Sequence, residues 1–133
     1  MFGYNNVRVE TICISDPAGD LTIPIWRAPS ACAHIEILDA WAVVDTTVTL
    51  GDGTGIALTL LDYGTAGAGN VGTVTSILGG TAVTWTASTL KAFTISEGTF
   101  TGGNYLALYY NETGTVAPKN LIVCWSWREG NSA

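Results

Sequence analysis

A Ser-His-Asp triad or a Cys-His pair needs an imidazole base, and the 133-residue sequence offers one histidine, His34. Cys13 or Cys32 could serve as a nucleophile beside it. His34 lies in an apolar, alternating stretch, however, where a histidine is ordinarily a packed or surface strand residue. Glu36 and Asp39 are the nearest thing to a carboxylate pair. Their odd separation predicts opposite faces of a strand, which argues against a glycosidase-type site. Asp52 lies in the glycine-rich run Gly51–Gly55 with Asp45 and Asp62 on either side, and calcium accepts such carboxylates. The dense Asp-x-Asp-x-Asp-Gly spacing of a calcium loop is missing, so an ordinary Asp-Gly turn is the expectation. No Gly-Lys-Ser/Thr follows the run, which removes the phosphate-loop reading. These residues predict no catalytic residue, no metal ligand and no cofactor, and the chain reads as a non-enzyme.

The aromatic residues are more informative, with five tryptophans and five tyrosines. Core packing is the ordinary role of such rings, whereas an exposed row would form a sugar-stacking platform or a subunit contact. Trp125, Trp127, Trp26 and Tyr4 are the candidates for a subunit or partner interface, with Trp125 and Trp127 on one strand face.

These residues must be positioned by strands. Nineteen threonines and sixteen glycines, interleaved with β-branched and aromatic residues, favour strands broken by turns. Period-2 alternation runs through Val7 to Ile14 and through Leu21, Ile23 and Ile25. It recurs in Ile56, Leu58 and Leu60 against Ala57, Thr59, Leu61 and Tyr63. Tyr105, Ala107 and Tyr109 oppose Leu106, Leu108 and Tyr110, and Leu121, Val123, Trp125 and Trp127 oppose Ile122, Cys124 and Ser126. Strands apolar on both faces imply a covering layer on each, and one of those layers can be another subunit. Pro24 lacks an amide hydrogen, which places its segment at a sheet edge or a bulge. Residues 30–44 fit either a helix capped by Ser30 or a strand carrying Ala33, Ile35, Ile37, Asp39, Trp41 and Val43 on one face, and the strand is favoured. Residues 64–72 read as an exposed, mobile loop. Turn signals between these segments predict an all-β, antiparallel, jelly-roll-like β-sandwich of about eight strands.

Composition sets the remaining bounds. Residues 1–6 read as a flexible N-terminal arm and residues 7–130 as one β-sandwich domain. Charged residues make up 12%, about half the usual share, so apolar surface is in excess. No apolar run reaches the ~18 residues of a membrane-spanning helix. The N-terminus resembles no secretory signal, and folding in a cytosol is expected. Cys13, Cys32 and Cys124 lack Cys-x-x-Cys spacing and read as buried free thiols. A net charge of −6 with five scattered basic residues disfavours direct nucleic-acid binding.

Four features together resemble the small jelly-roll proteins that decorate the heads of tailed bacteriophages. They are the polar N-terminal arm, the Ile-Pro-Ile strand followed by a small-residue strand (21–44), the Gly-Thr-Gly turn leading into Ala-Leu-Thr-Leu (53–61), and the closing pattern. That last comprises Gly-Asn-Tyr-Leu-Ala-Leu (103–108), Thr-Gly-Thr-Val-Ala-Pro (113–118) and the final apolar strand 121–130. The last strand departs from the family in ending Trp-Ser-Trp. The resemblance implies a virion structural protein, a capsid decoration or cement subunit and usually a homotrimer. Its partner would be the major capsid protein and its place the outer capsid surface, after folding in the host cytoplasm. A carbohydrate- or receptor-binding module and a tail or neck component are the alternatives.

Overall fold

The computed structural model describes residues 6–51, 54–64, 69–78, 83–114 and 118–130. It is all-β and antiparallel, with two sheets arranged as a sandwich. The strands are β1 (Arg8–Ser15), β2 (Leu21–Arg27), β3 (His34–Val44), β4 (Val48–Leu50), β5 (Gly55–Asp62), β6 (Gly69–Leu78), β7 (Val83–Trp85), β8 (Lys91–Ala92), β9 (Thr94–Ile95), β10 (Thr99–Thr101), β11 (Tyr105–Thr113) and β12 (Asn120–Glu129). The described residues form twelve strands against the about eight expected, because short pieces of two or three residues carry too little alternation to be read from sequence. One sheet runs β1-β12-β3-β10, with β8 also on β3, and the other runs β2-β11-β5-β6-β9. β4 and β7 form a separate pair.

The alternating positions that face the interior are those the sequence pattern paired. Leu106, Leu108, Tyr110, Ile56, Leu58 and Leu60 from one sheet meet Ile35, Ile37, Leu121, Val123, Trp125 and Trp127 from the other, all buried. Trp85 closes this core from β7, its indole N–H donating to the carbonyl of Thr89 at 2.9 Å. Residues 30–44 contain no helix; His34–Val44 is a strand between β12 and β10.

That strand does not keep one face throughout. Its pairing with β12 shifts between Ser126 and Trp127, where Ser126 sits opposite Asp39 but Trp127 opposite Ile37. Leu38 is therefore one extra residue, a β-bulge, and it reverses the phase. Ile35 and Ile37 point into the core before it; Ala40, Ala42 and Val44 do so after it. Asp39, Trp41 and Val43, expected on the same face as Ile35, are turned outward instead. Glu36 and Asp39 consequently share the outer face, contrary to the simple parity rule.

Pro24 behaves as its chemistry requires. β2 is a sheet edge, and its register on β11 skips Ile25, since Leu106 pairs Trp26 and Ala107 pairs Pro24. Of the segment expected to be a loop, Gly69–Gly72 belongs to β6 and pairs with β5, while 65–68 lie outside the described residues. Tyr4 and most of the N-terminal arm also lie outside them.

Tyr110 gives this core a pH dependence. Its side chain is fully buried and its hydroxyl donates to Glu112 Oε1 at 2.8 Å. Burial first, and then the bond to and charge of Glu112, push the phenol far above its ordinary value of 10.0. A raised folded-state value means that the stability is complete below the unfolded-state value. It is lost as pH rises above about 10, where only the unfolded chain ionises. Urea midpoints between pH 9 and 11 should fall more steeply for the native chain than for Tyr110→Phe; equal slopes would show that Tyr110 ionises freely in the fold.

Candidate interaction surfaces

Of the four aromatic candidates, Tyr4 lies outside the described residues, and the three tryptophans form no exposed row. Trp125 and Trp127 face the core at 1% and 3% exposure, so in the folded chain they offer no contact area to a partner. Trp26, half-buried on β2, packs against both, with ring centroids 5.0 Å from Trp127 and 6.0 Å from Trp125 in tilted geometry. The three rings bridge the two sheets and act as packing.

Trp127 also anchors β1. Its indole N–H donates to Glu10 Oε2 at 3.1 Å, and the Arg8 guanidinium carbon lies 5.4 Å from its ring centroid. Beside it, Asn6, Arg8, Cys32, Trp127 and Glu129 line an open pocket of about 140 Å³. The Cys32 thiol there is pushed above its ordinary value by burial and then by the Glu129 carboxylate, with Arg8 opposing. A raised thiol is a poor nucleophile at neutral pH.

The other candidates for chemistry are dispersed. His34 opens β3, and Glu36 is held by Arg128 at 2.8 Å in a half-exposed pair of little energetic weight. Asp45 accepts from Asn120 at 2.6 Å, while Asp62 accepts from Asn104 at 3.1 Å at the far end of β5. Among the described residues no three His, Cys, Asp or Glu side chains converge as a metal site would require. All three cysteines are free; Cys13 is exposed and Cys32 and Cys124 are half-buried, which corrects the expectation of buried thiols. Cys13 alternates with the inward-facing Ile12 and Ile14, so strand parity turns it to solvent.

What sequence reasoning missed is the outer face of the β1-β12-β3 sheet. Cross-strand register aligns Val43, Ile122 and Cys13 in one row, and Trp41, Cys124 and Thr11 in the next. Val9 continues the face at 58% exposure, next to Val7 at 53%. The signal was in the double-sided alternation. Parity alone does not say which of two apolar faces meets the core, and here the tryptophan side of β12 took it. On the opposite sheet Arg27, Tyr105 and Tyr63 form a second outer row: Tyr105 pairs with Arg27, whose guanidinium lies 5.8 Å from the Tyr105 ring, and the Tyr63 N–H donates to the Tyr105 carbonyl.

No family model matches the chain, and no curated protein does. Among solved structures it is similar to that of infectious bursal disease virus Gx strain, at 20% identity and a TM-score of 0.40, over 96% of this chain and 37% of that one. The Gt strain of the same virus gives 12% identity and a TM-score of 0.31, over 96% and 37%. The chain thus spans little more than a third of these viral chains. A third structure, described as Bacillus endospore appendages that form a novel family of disulfide-linked pili, gives 17% identity and a TM-score of 0.30 over 98% and 93%. Likenesses of this size leave the role to be argued from the surface.

Proposed function

We propose that the chain is a structural coat subunit of a virion, a decoration or cement protein that binds the outer surface of a bacteriophage capsid as an oligomer. The observation that carries this reading is the outer face of the β1-β12-β3 sheet, where Trp41, Val43, Ile122 and Cys124 are half-buried on the side away from the core and Val7 and Val9 are exposed beside them. A sheet with apolar residues on both faces has contact surface to give to a neighbour. The sequence features shared with phage head proteins support a virion as the setting, with the major capsid protein as partner and a trimer as the implied count. Weak single contacts repeated over a shell add through multivalency, which suits a subunit that must recognise the assembled surface.

The test is light scattering at several concentrations, followed by co-sedimentation with decorated and undecorated phage heads. Saturable binding to undecorated shells, reduced at least tenfold by Val43→Lys on the outer face, is expected. A folded chain that ignores every shell overturns the reading. In that event the Arg27–Tyr105–Tyr63 row favours the sugar-binding alternative. Glycan titration should then follow tyrosine rather than tryptophan signals, because the exposed rings of that row are Tyr63 and Tyr105.

A further inference from the structure

Sheet edges expose unpaired backbone groups, and proteins usually disarm them with proline, bulges or short strands. Among the described residues four of the five edge strands of the two sheets are treated in this way, β8 among them at two residues. β2 carries Pro24 and a bulge at Ile25, while β9 and β10 are two and three residues long. β1 is different. It pairs with β12 through eight consecutive residues without a register shift, and contains neither proline nor glycine. Its other side has no partner strand among the described residues. The outward residues beside that open edge are the exposed Val7 and Val9.

The charges on this edge select one occupant. Inward-leaning charges of a single sign would repel an incoming strand, but Arg8 and Glu10 are of opposite sign, two residues apart and flanking Val9. In an antiparallel pair related by a two-fold axis at Val9, Arg8 of each copy sits opposite Glu10 of the other, and Val7 opposite Thr11. Opposite charges directly across a strand pair attract, and like charges repel. A two-fold centred on Glu10 would set carboxylate against carboxylate. One centred on Thr11 would set Arg8 against Ile14 and Glu10 against Ile12, leaving both charges without a mate. Among the described residues Arg8 has no ion pair within its own chain, and Glu10 uses only one carboxylate oxygen on Trp127. Arg8 lies against the Trp127 ring and Glu10 accepts from the Trp127 indole N–H, and these contacts leave the guanidinium N–H groups and the second carboxylate oxygen to pair across the edge.

We propose that two copies of the chain join at the N-terminal end of β1, antiparallel about a two-fold axis at Val9 with residues 6–12 of each copy paired, so that sheet β1-β12-β3-β10 runs on from one copy into the other. An isologous contact of this kind closes on itself. It also doubles the apolar outer face proposed above to meet the shell; it rests on the coat-subunit reading in that respect alone, and puts a two-fold contact in place of the trimer that the resemblance implies.

The test is made on the full chain in solution. Sedimentation velocity should find a species of twice the 13.9 kDa chain mass, or an even multiple of it. Arg8→Glu and Glu10→Arg should each weaken it about tenfold or more, since two attractive pairs become two repulsive ones, and the Arg8→Glu/Glu10→Arg double variant should restore it. Directly opposed residues in an antiparallel pair lie about 4.5–5.5 Å apart at Cα, within disulfide range. Val9→Cys in a Cys13→Ser background should therefore oxidise to a covalent dimer linked through position 9. The unmodified chain should not link through Cys13, whose two copies would lie about 27 Å apart along the strands. A monomer at all concentrations, a trimer indifferent to every β1 substitution, or a native Cys13–Cys13 link each overturns the proposal. Shell binding is read separately: a dimer that ignores shells sinks the coat reading and leaves the edge contact standing, and a monomer that binds shells does the reverse.

Discussion

Trp125→Ala is expected to cost about 3–5 kcal/mol, the range for deleting a large buried ring, against a total of about 5–15 kcal/mol for a domain of this kind. Trp125 is at 1% exposure on β12, flanked by Glu10 on β1 and Ala40 on β3, and its ring lies against Trp26. The small side chain of Ala40 cannot expand into the space, so a cavity between the sheets remains. Trp125→Phe separates volume from polarity. The Trp125 indole N–H has no hydrogen-bond partner among the described residues, and an unpaired buried donor costs about 1–3 kcal/mol. Phenylalanine loses packing but removes that donor, so its loss should stay within about 1.5 kcal/mol. Urea unfolding of both variants checks this. Equal losses would show that the N–H is satisfied and that the cavity is not what separates them.

Gly102→Ala should leave little folded protein, with a cost of about 4 kcal/mol or more. Gly102 follows β10, and a Cβ there would run into the backbone carbonyl of Cys32 and come within 2.7 Å of the Pro29 carbonyl oxygen. That backbone is tied down on every side. The Cys32 N–H donates to Pro29, that of Gly102 to Ala33, that of Ala28 to Asn104, and that of Gly103 back to Ala28. A carbonyl held by such a lattice cannot step aside as the tip of a flexible side chain would. Gly51→Ala is the control, because nothing lies within 4 Å of a Cβ at that position. Soluble yield and thermal midpoint compared for the pair test the argument, and a Gly102→Ala protein that matches Gly51→Ala would show that the 29–33 segment yields.

The sandwich was legible because its signal is local. Ile56, Leu58 and Leu60 alternate without interruption and are all fully buried, and Pro24 marked its edge because a missing amide hydrogen cannot be hidden in a ladder. The phase reversal in β3 was not legible. Leu38 is an ordinary residue in an apolar run, and only its partner strand reveals that it is one too many. The roles of Trp125, Trp127 and Cys13 were hidden for a related reason: each lies in a strand whose two faces are both apolar, and which face turns inward is decided by the opposite sheet. The interaction surface was readable as a surplus of apolar positions, but its location required the register across three strands.

The pairing of β1 with β12 has a consequence for how the protein is made. Residues 8–15 leave the ribosome more than a hundred residues before their strand partners, residues 120–127, and β12 also supplies the strand that β3 lies against. One whole layer of the sandwich therefore waits for synthesis of its middle strand. Such long-range pairing slows folding, since the loop must close before any contact rewards it. The β11-β5-β6 layer can form while the other is still incomplete. Until β12 arrives, β3 lacks its long in-sheet partner and the opposite layer lacks Leu121, Val123, Trp125 and Trp127 to pack on, and a nascent chain arrested before residue 120 should be the most chaperone-dependent species in the life of this protein.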